Sequence, residues 1–418
     1  MRHDLESHQR KSVTFISQYF PPERTPICLS IFRALNEISE VNVLTSNPNY
    51  PDGKLFEGYE ENSLRTEIFE SANVLRIPCY PSHDSSALNR IRNYFQFALI
   101  GIRKGASFTE NSKLNFVYGS PATAITIAWW AKFRSKTPYV VMVQDLWPDS
   151  IYATGFLTKR LVKTLVAPFI NLFIRSLYSN AEVLIAISKG MKLELIKRGF
   201  SESRVVHIYN WVEEFPTSLL ETPNLRSELG LSADSFVFLY AGNIGPAQNL
   251  QPLVESFHFL DSSQNIHLVL VGDGVSKQLL VNLTQQAKFP NVFFLDSVSV
   301  DVADCYMSQA DVCVVSLAPD PLFEITFPSK VQRIMSLGRP IFGLIRGDVA
   351  EVIHTEDAGW VCDTDNPSEI ANQIAAITKS SKTNLDAKGA NARHFFDTTL
   401  SSNVNVDLLK TLVKKVMS

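Results

Sequence analysis

Lys330 stands in the run Phe327-Pro-Ser-Lys-Val-Gln-Arg-Ile-Met-Ser-Leu-Gly-Arg-Pro340, shortly after the apolar stretch Asp311-Val-Cys-Val-Val-Ser316. The β-branched stretch without alternation predicts a strand buried on both faces of a parallel sheet. A helix then opens at the motif: Pro328 fits its first turn, Ser329 can cap free amides, Gly338 fits the left-handed position beyond it, and Pro340 stops it. Lysine beside exposed amides at a positive helix end suits a phosphate. The same spacing also describes an ordinary capped crossover helix. A carboxylate with a chemical use is Asp145 in Gln144-Asp-Leu-Trp-Pro-Asp149, just past the apolar run Tyr139–Val143. At a strand end it can orient an attacking hydroxyl or take its proton, or else cap the next helix. No nucleophile elbow, no Ser-His-Asp order and no histidine pair at helical spacing accompanies it, which leaves nucleophilic hydrolysis and zinc chemistry unsupported.

Four more loops follow strand-like runs. Ser17-Gln-Tyr-Phe-Pro-Pro-Glu-Arg24 and Asn47-Pro-Asn-Tyr-Pro-Asp-Gly53 carry prolines that fix the backbone, so Tyr19, Glu23, Asn49 and Tyr50 are candidate binding groups, with Trp147 beside Asp145. Turn chemistry explains the prolines and Gly53 but not two aromatic-proline loops together. In Tyr240-Ala-Gly-Asn-Ile-Gly-Pro-Ala-Gln-Asn249, Gly242 and Gly245 let backbone approach a ligand closely, and Val271-Gly-Asp-Gly274 adds Gly272 as a second strand-end glycine turn. Neither is a dinucleotide fingerprint or a Walker loop. Asp363-Thr-Asp365 has a spacing that can hold a divalent cation, but with Asn366-Pro behind it the better reading is a turn and helix cap, and no metal is expected.

The elements that must position these residues alternate. Strand-like runs at Val13–Ser17, Val41–Thr45, Val74–Ile77, Leu114–Tyr118, Tyr139–Val143 and Val183–Ile187 are separated by helical stretches, and a second series starts at Phe236–Tyr240. Such alternation predicts βαβ units, hence an α/β protein of two doubly wound, Rossmann-like parallel sheets facing a cleft. The predicted domains are 1–215 and 216–395, with 396–418 a terminal helix that can pack back on the first domain.

At 418 residues the chain exceeds a single core. A net charge of -3 argues against nucleic acid as a partner. Five scattered cysteines without a Cys-x-x-Cys pair fit a reducing compartment, and the polar N-terminus lacks a secretory core, so a cytoplasmic location is expected. Residues 85–109 and 150–181 contain no acidic side chain. Arg90, Arg92, Arg103 and Lys104 flank one apolar stretch, and Lys159, Arg160, Lys163 and Arg175 the other. They read as half-buried helices, or as anchors for an anionic inner membrane surface.

Taken together the blocks resemble glycosyltransferase family 4, of GT-B fold, over about Ser17 to Ala375. The nearest likeness is to the branch of WbuB-like N-acetyl-L-fucosamine transferases of bacterial surface polysaccharide assembly. Gln18–Glu23, Leu44–Gly53, Asp145–Asp149, Ala241–Gly245 with Gln248, Gly272–Gly274 and Pro328–Pro340 carry it, in the family's order. The resemblance implies a retaining, metal-independent transfer with no cofactor, from a nucleotide diphosphate sugar to an acceptor held by the N-terminal half. Asp145 and Lys330 are the catalytic residues it implies. The donor would meet Gly242, Asn243, Gln248, Gly272, Glu324, Pro328, Ser329, Lys330 and Arg333, and the acceptor Tyr19, Glu23, Asn49, Tyr50 and Trp147. The family often has two glutamates eight positions apart, where this chain has Ile325, next to Glu324, and Arg333. Asn243 and Gln248 replace an arginine and a lysine, and Thr25-Pro-Ile-Cys28 replaces a glycine-rich stretch.

The expected function is transfer of an amino or deoxy sugar, from UDP, to a lipid-linked saccharide of O-antigen, capsule or exopolysaccharide. A non-hydrolysing sugar-nucleotide epimerase and a catalytically silent assembly partner are the alternatives.

Overall fold

The computed structural model describes residues 12–50, 52–80, 87–149, 160–212, 224–261, 265–287 and 289–418, except for the side chains of 87–88 and 160–166. Two compact units divide it. One runs up to Asn210 and includes Asn405–Ser418; the other is Trp211–Val404.

The first unit is built on an eight-stranded sheet. Its strands are β1 (Ser12–Ile16), β2 (Glu40–Ser46), β3 (Arg65–Phe69), β4 (Ala72–Ile77), β5 (Leu114–Tyr118), β6 (Tyr139–Val143), β7 (Val183–Ala186) and β8 (Val205–His207). They lie in the order β3-β4-β2-β1-β5-β6-β7-β8. All pairings are parallel except β3 with β4. Every residue of β6 is buried, as a strand covered by helices on both faces requires. The order reverses between β1 and β5, and ligands of open α/β sheets bind beyond the carboxyl ends at such a point.

Strand β3 has no counterpart in the sequence reading. Arg65, Thr66 and Ile68 face solvent on this edge, so no apolar run marks it. Besides its antiparallel ladder with β4, β3 is held by Arg76 of β4, whose side chain is 1% exposed and whose Nε lies 2.5 Å from Glu67 Oε1. Its other nitrogens donate to the carbonyls of Ser46 and Pro21, which tie the end of β2 to the loop after β1.

The second unit has β9 (Phe236–Ala241), β10 (Ile266–Val271), β11 (Val292–Leu295), β12 (Val312–Ser316), β13 (Ile341–Leu344) and β14 (Gly359–Val361). The order is β11-β10-β9-β12-β13-β14, all parallel, reversing between β9 and β12. Phe238, Leu268, Leu270, Val314 and Phe342 form its core with Leu253, Ile370 and Ile374 from helices. The closing helix Ser402–Met417 belongs from Asn405 on to the first unit, with Leu409 and Val413 buried and Lys410 Nζ 2.9 Å from Glu37 Oε2.

Because Arg76 serves three partners at once, Arg76→Met should lower stability by about 3 kcal/mol, the usual cost of breaking a buried pair. A urea midpoint matching the parent's would show that the Glu67 pair and the two carbonyl contacts add nothing.

Candidate functional site

The donor-type residues lie beyond the carboxyl ends of β9, β10 and β12 in the second unit. The loop after β9 is stitched to the loop after β10: Gly242 N donates to Val271 O at 2.9 Å, and Ile244 N to Asp273 O at 2.8 Å. Gly272 has φ +144°, and a Cβ there would collide with the Gly242 carbonyl, so the two loops close only without side chains at these points. Asn243 Nδ2 donates to Gln248 Oε1 at 2.9 Å, and Gly245 N to the same oxygen at 3.2 Å. These two amide side chains thus brace the loop.

Lys330 meets this loop from the helix Ser329–Ser336. Its Nζ sits 3.5 Å from the centroid of the Tyr240 ring, a cation–π seat. A Cβ on Gly242, whose φ is +135°, would lie 2.9 Å from that nitrogen, so glycine is what leaves the ammonium its place. Burial pulls the lysine down to about 7. Pro328 occupies the capping position rather than the first turn, Ser329 begins the helix, and no side chain caps it, which corrects the roles expected of both. Val331 N donates to Pro328 O at 3.0 Å, while the amides of Ser329 and Lys330 come too early in the helix to reach a carbonyl four residues back within it. At the other end, Gly338 has φ +63° with Gly338 N bonded to Met335 O and Arg339 N to Ile334 O, a Schellman closure.

Arg333 is placed one turn on, its Nε 3.3 Å from Oδ1 of Asp304, which is 2% exposed. Burial pushes Asp304 up to about 6 against the pull of Arg333. Glu324 ends the short helix Pro321–Glu324, capped by Asp320, and lines a pocket with Phe323, Ile345, Arg346, Asp363 and Asp365. Asp363 pairs with Arg346, Asp365 accepts from Asn249 Nδ2 at 2.9 Å, and Asn366 caps the next helix. Among the described residues no group of three or more His, Cys, Asp or Glu side chains is placed to hold a metal ion.

The first unit gathers a second set at the ends of β1, β2, β5 and β6. The Asp145 carboxylate accepts from Ser120 Oγ at 2.8 Å; burial raises its pKa and Ser120 opposes the rise. Around it stand rings: Tyr19 and Tyr50 at 5.2 Å, Tyr94 and Trp147 at 6.4 Å, and a hydrogen bond between the Tyr19 and Tyr94 phenols. Tyr118 feels the Asp145 charge as well. Glu23 is placed differently. Both its oxygens are occupied by backbone amides, Asn49 and Tyr50 at 2.8 Å and Phe20 at 3.0 Å, and it is 3% exposed. Asn49 is equally buried and donates to Asn47 O and Cys79 Sγ. These two hold the loops in shape, and Tyr19, Tyr50 and Trp147 line them.

Ser120, Tyr94, Tyr118 and Tyr240 escaped the sequence reading. The signal for Ser120 was available: Gly119-Ser-Pro121 follows a strand-like run as the other ligand-type loops do.

Two family models match, that of the glycosyl transferase 4-like domain at residues 27–211 and that of glycosyl transferases group 1 at 235–380. The chain is a family 4, group 1 glycosyltransferase. This is a retaining transferase family of GT-B fold. Among relatives, the transferase is 26% identical over 308 residues to a protein named as a colanic acid biosynthesis glycosyl transferase, WcaI of Escherichia coli K12, covering 72% of this chain and 74% of that one. It is 22% identical over 213 residues to the N-acetyl-alpha-D-glucosaminyl L-malate synthase of Bacillus anthracis, at 51% and 54% coverage. In fold it is similar to HepE of Anabaena in complex with UDP, with TM-score 0.67, 16% identity and coverage of 97% and 100%. WaaG, a glycosyltransferase involved in lipopolysaccharide biosynthesis, gives TM-score 0.63 at 14% identity, covering 96% and 99%.

In this transferase Gly272→Ala should lower the thermal midpoint and displace the loop after β9, because neither the positive φ nor the Gly242 carbonyl accommodates a methyl group. Unaltered amide NMR shifts for residues 242–245 in the variant would contradict the close approach.

Proposed function

We propose that the second unit holds a nucleotide diphosphate sugar, UDP being the favoured nucleotide, and that the first unit presents a saccharide hydroxyl to it. The observation that carries this is Lys330, seated on Tyr240 over a glycine gap at an uncapped helix start. A diphosphate placed there meets one ammonium and free amides together, and charge growing on the leaving group is stabilised where water is scarce. The acceptor oxygen forms a bond to the sugar C1 while the bond from C1 to the diphosphate oxygen breaks, its electron pair leaving with the diphosphate. Asp145 orients the hydroxyl and takes its proton, a task to which a raised carboxylate pKa is suited. The UDP in the HepE complex supports the nucleotide.

Further, we infer that the product is a surface polysaccharide and the acceptor a lipid-linked saccharide, as the name of WcaI supports. An amino or deoxy sugar of the N-acetylfucosamine type is the donor that the sequence resemblance favours. For the lipid, the first unit offers an apolar face. Phe95 and Leu99 of helix Ala87–Lys104, Trp130 and Phe133 of Ile125–Ser135, and Phe169 and Leu172 of Arg160–Ser179 are exposed on three helices packed in that order. Arg92, Arg103, Lys104 and Arg134 are exposed on the same helices. Lys159 and the side chains of Arg160 and Lys163, also expected there, lie outside the described residues. No described helix is long and apolar enough to cross a membrane.

Separate Asp145→Asn and Lys330→Ala variants should each lose about 100-fold or more in kcat. Unchanged transfer in both would overturn the catalytic assignment and favour a silent partner. Since the protonated lysine binds the anion and the free group titrates near 7, UDP affinity should fall as pH rises above 7, with proton uptake on binding seen by calorimetry in buffers of different ionisation enthalpy. Lys330→Ala should flatten that dependence. Replacing Phe169 and Leu172 by serine should weaken sedimentation with phosphatidylglycerol vesicles, and unchanged sedimentation would sink the membrane reading.

A further inference from the structure

Gly119 and Ser120 leave β5 at the switch point of the first sheet, one strand away from Asp145. Two contacts fix this short loop against the end of β6. Gly119 N donates to Met142 O at 2.9 Å, and a Cβ on Gly119 would lie 2.9 Å from that same oxygen, so the loop can approach β6 this closely only with glycine. Ser120 is thereby delivered to the carboxylate, its Oγ 2.8 Å from Asp145 Oδ2. Among the described residues no other side chain is recorded donating to Asp145. The titratable groups that sense its charge are the phenols of Tyr94, Tyr118 and Tyr178, all pushed upward by burial and so neutral. The cations nearby, Arg90 and Arg198, act on Tyr94 and Tyr178.

A carboxylate in such a setting has two problems. Burial among aromatic rings favours its protonated form, and rotation about the Cβ–Cγ bond lets it turn away from an incoming hydroxyl. One hydroxyl donor answers both, because a hydrogen bond to the charged form favours that form and occupies one oxygen, leaving the other for the acceptor. We propose that Ser120 is a positioning residue for the transfer reaction: its hydroxyl keeps Asp145 ionised and turns Oδ1 toward the acceptor hydroxyl. This rests on the reading of Asp145 as the acceptor-side base.

The test compares Ser120→Ala, Ser120→Thr and the parent by the pH dependence of kcat, alongside a carbon-13 NMR titration of the Asp145 carboxyl, its resonance assigned with Asp145→Asn. Removal of the hydroxyl should raise the carboxyl midpoint and move the acid limb of the rate profile up by about one pH unit, about a tenfold loss on that limb. At alkaline pH the part of the loss due to protonation should vanish in Ser120→Ala and the part due to the unaligned carboxylate remain, and Ser120→Thr, which keeps the hydroxyl, should follow the parent throughout. An unmoved carboxyl midpoint in Ser120→Ala overturns the inference whatever happens to the rate, and so does a moved midpoint with an unmoved rate profile. Full transfer by Asp145→Asn would instead remove the functional reading itself. That failure is distinguishable, since the carboxyl titration in the other variants is measured without turnover.

Discussion

Parallel pairing is the constraint on which everything else in this chain depends. Parallel strands cannot be joined by tight turns, so each return passes through a helix and all the carboxyl ends fall along one edge of the sheet. Residues far apart in sequence are gathered there without any specific long-range recognition. In the second unit this brings the loops after β9 and β10 and the helix start at Ser329 to one place, though they lie about 90 residues apart. In the first it brings Tyr19, Tyr50, Tyr118 and Asp145 together from four strands. Edge strand β3, the one antiparallel member, contributes nothing to that edge directly and acts through Arg76 on the loops that do.

Close approach of backbone is what turns a gathered edge into a site. Gly242 with Gly272 in the second unit, and Gly119 against Met142 in the first, let polar main chain and charged side chains occupy space that a Cβ would fill. The cost appears as desolvation. Lys330 and Asp145 are both shifted toward their neutral forms by burial, in opposite directions on the pH scale. Groups shifted in this way respond to a ligand's charge or proton far more than the same groups in water would.

How much of this was readable from the sequence follows from the range of each interaction. The strands, the glycine turns and the helix start at Ser329 were legible because apolar runs, positive φ and proline geometry are local signals. Strand β3 was not, since its edge residues alternate between charge and solvent with no apolar run. Pairs such as Arg333 with Asp304, or Ser120 with Asp145, depend on which helices and loops become neighbours, and no periodicity encodes that. Arg333 illustrates the difference well. Its position in the motif pointed to the donor, and nothing in that motif announced that its Nε would also lie 3.3 Å from Oδ1 of Asp304 on the helix Val300–Gln309.

Glu23 and Asp145 show why residue type and location together still do not assign a role. Both are carboxylates in loops at the carboxyl edge of the same sheet, and burial raises both. Glu23 receives three backbone amides across its two oxygens, so binding a hydroxyl there would require giving up a bond that holds two loops together. Asp145 receives one hydroxyl on one oxygen. A carboxylate has lone pairs for about four hydrogen bonds, and only one of these two has them unspent and facing polar rings. In the proposed reaction the chemical work of the edge therefore falls to Asp145, while Glu23 ties the backbone of Phe20 to that of Asn49 and Tyr50.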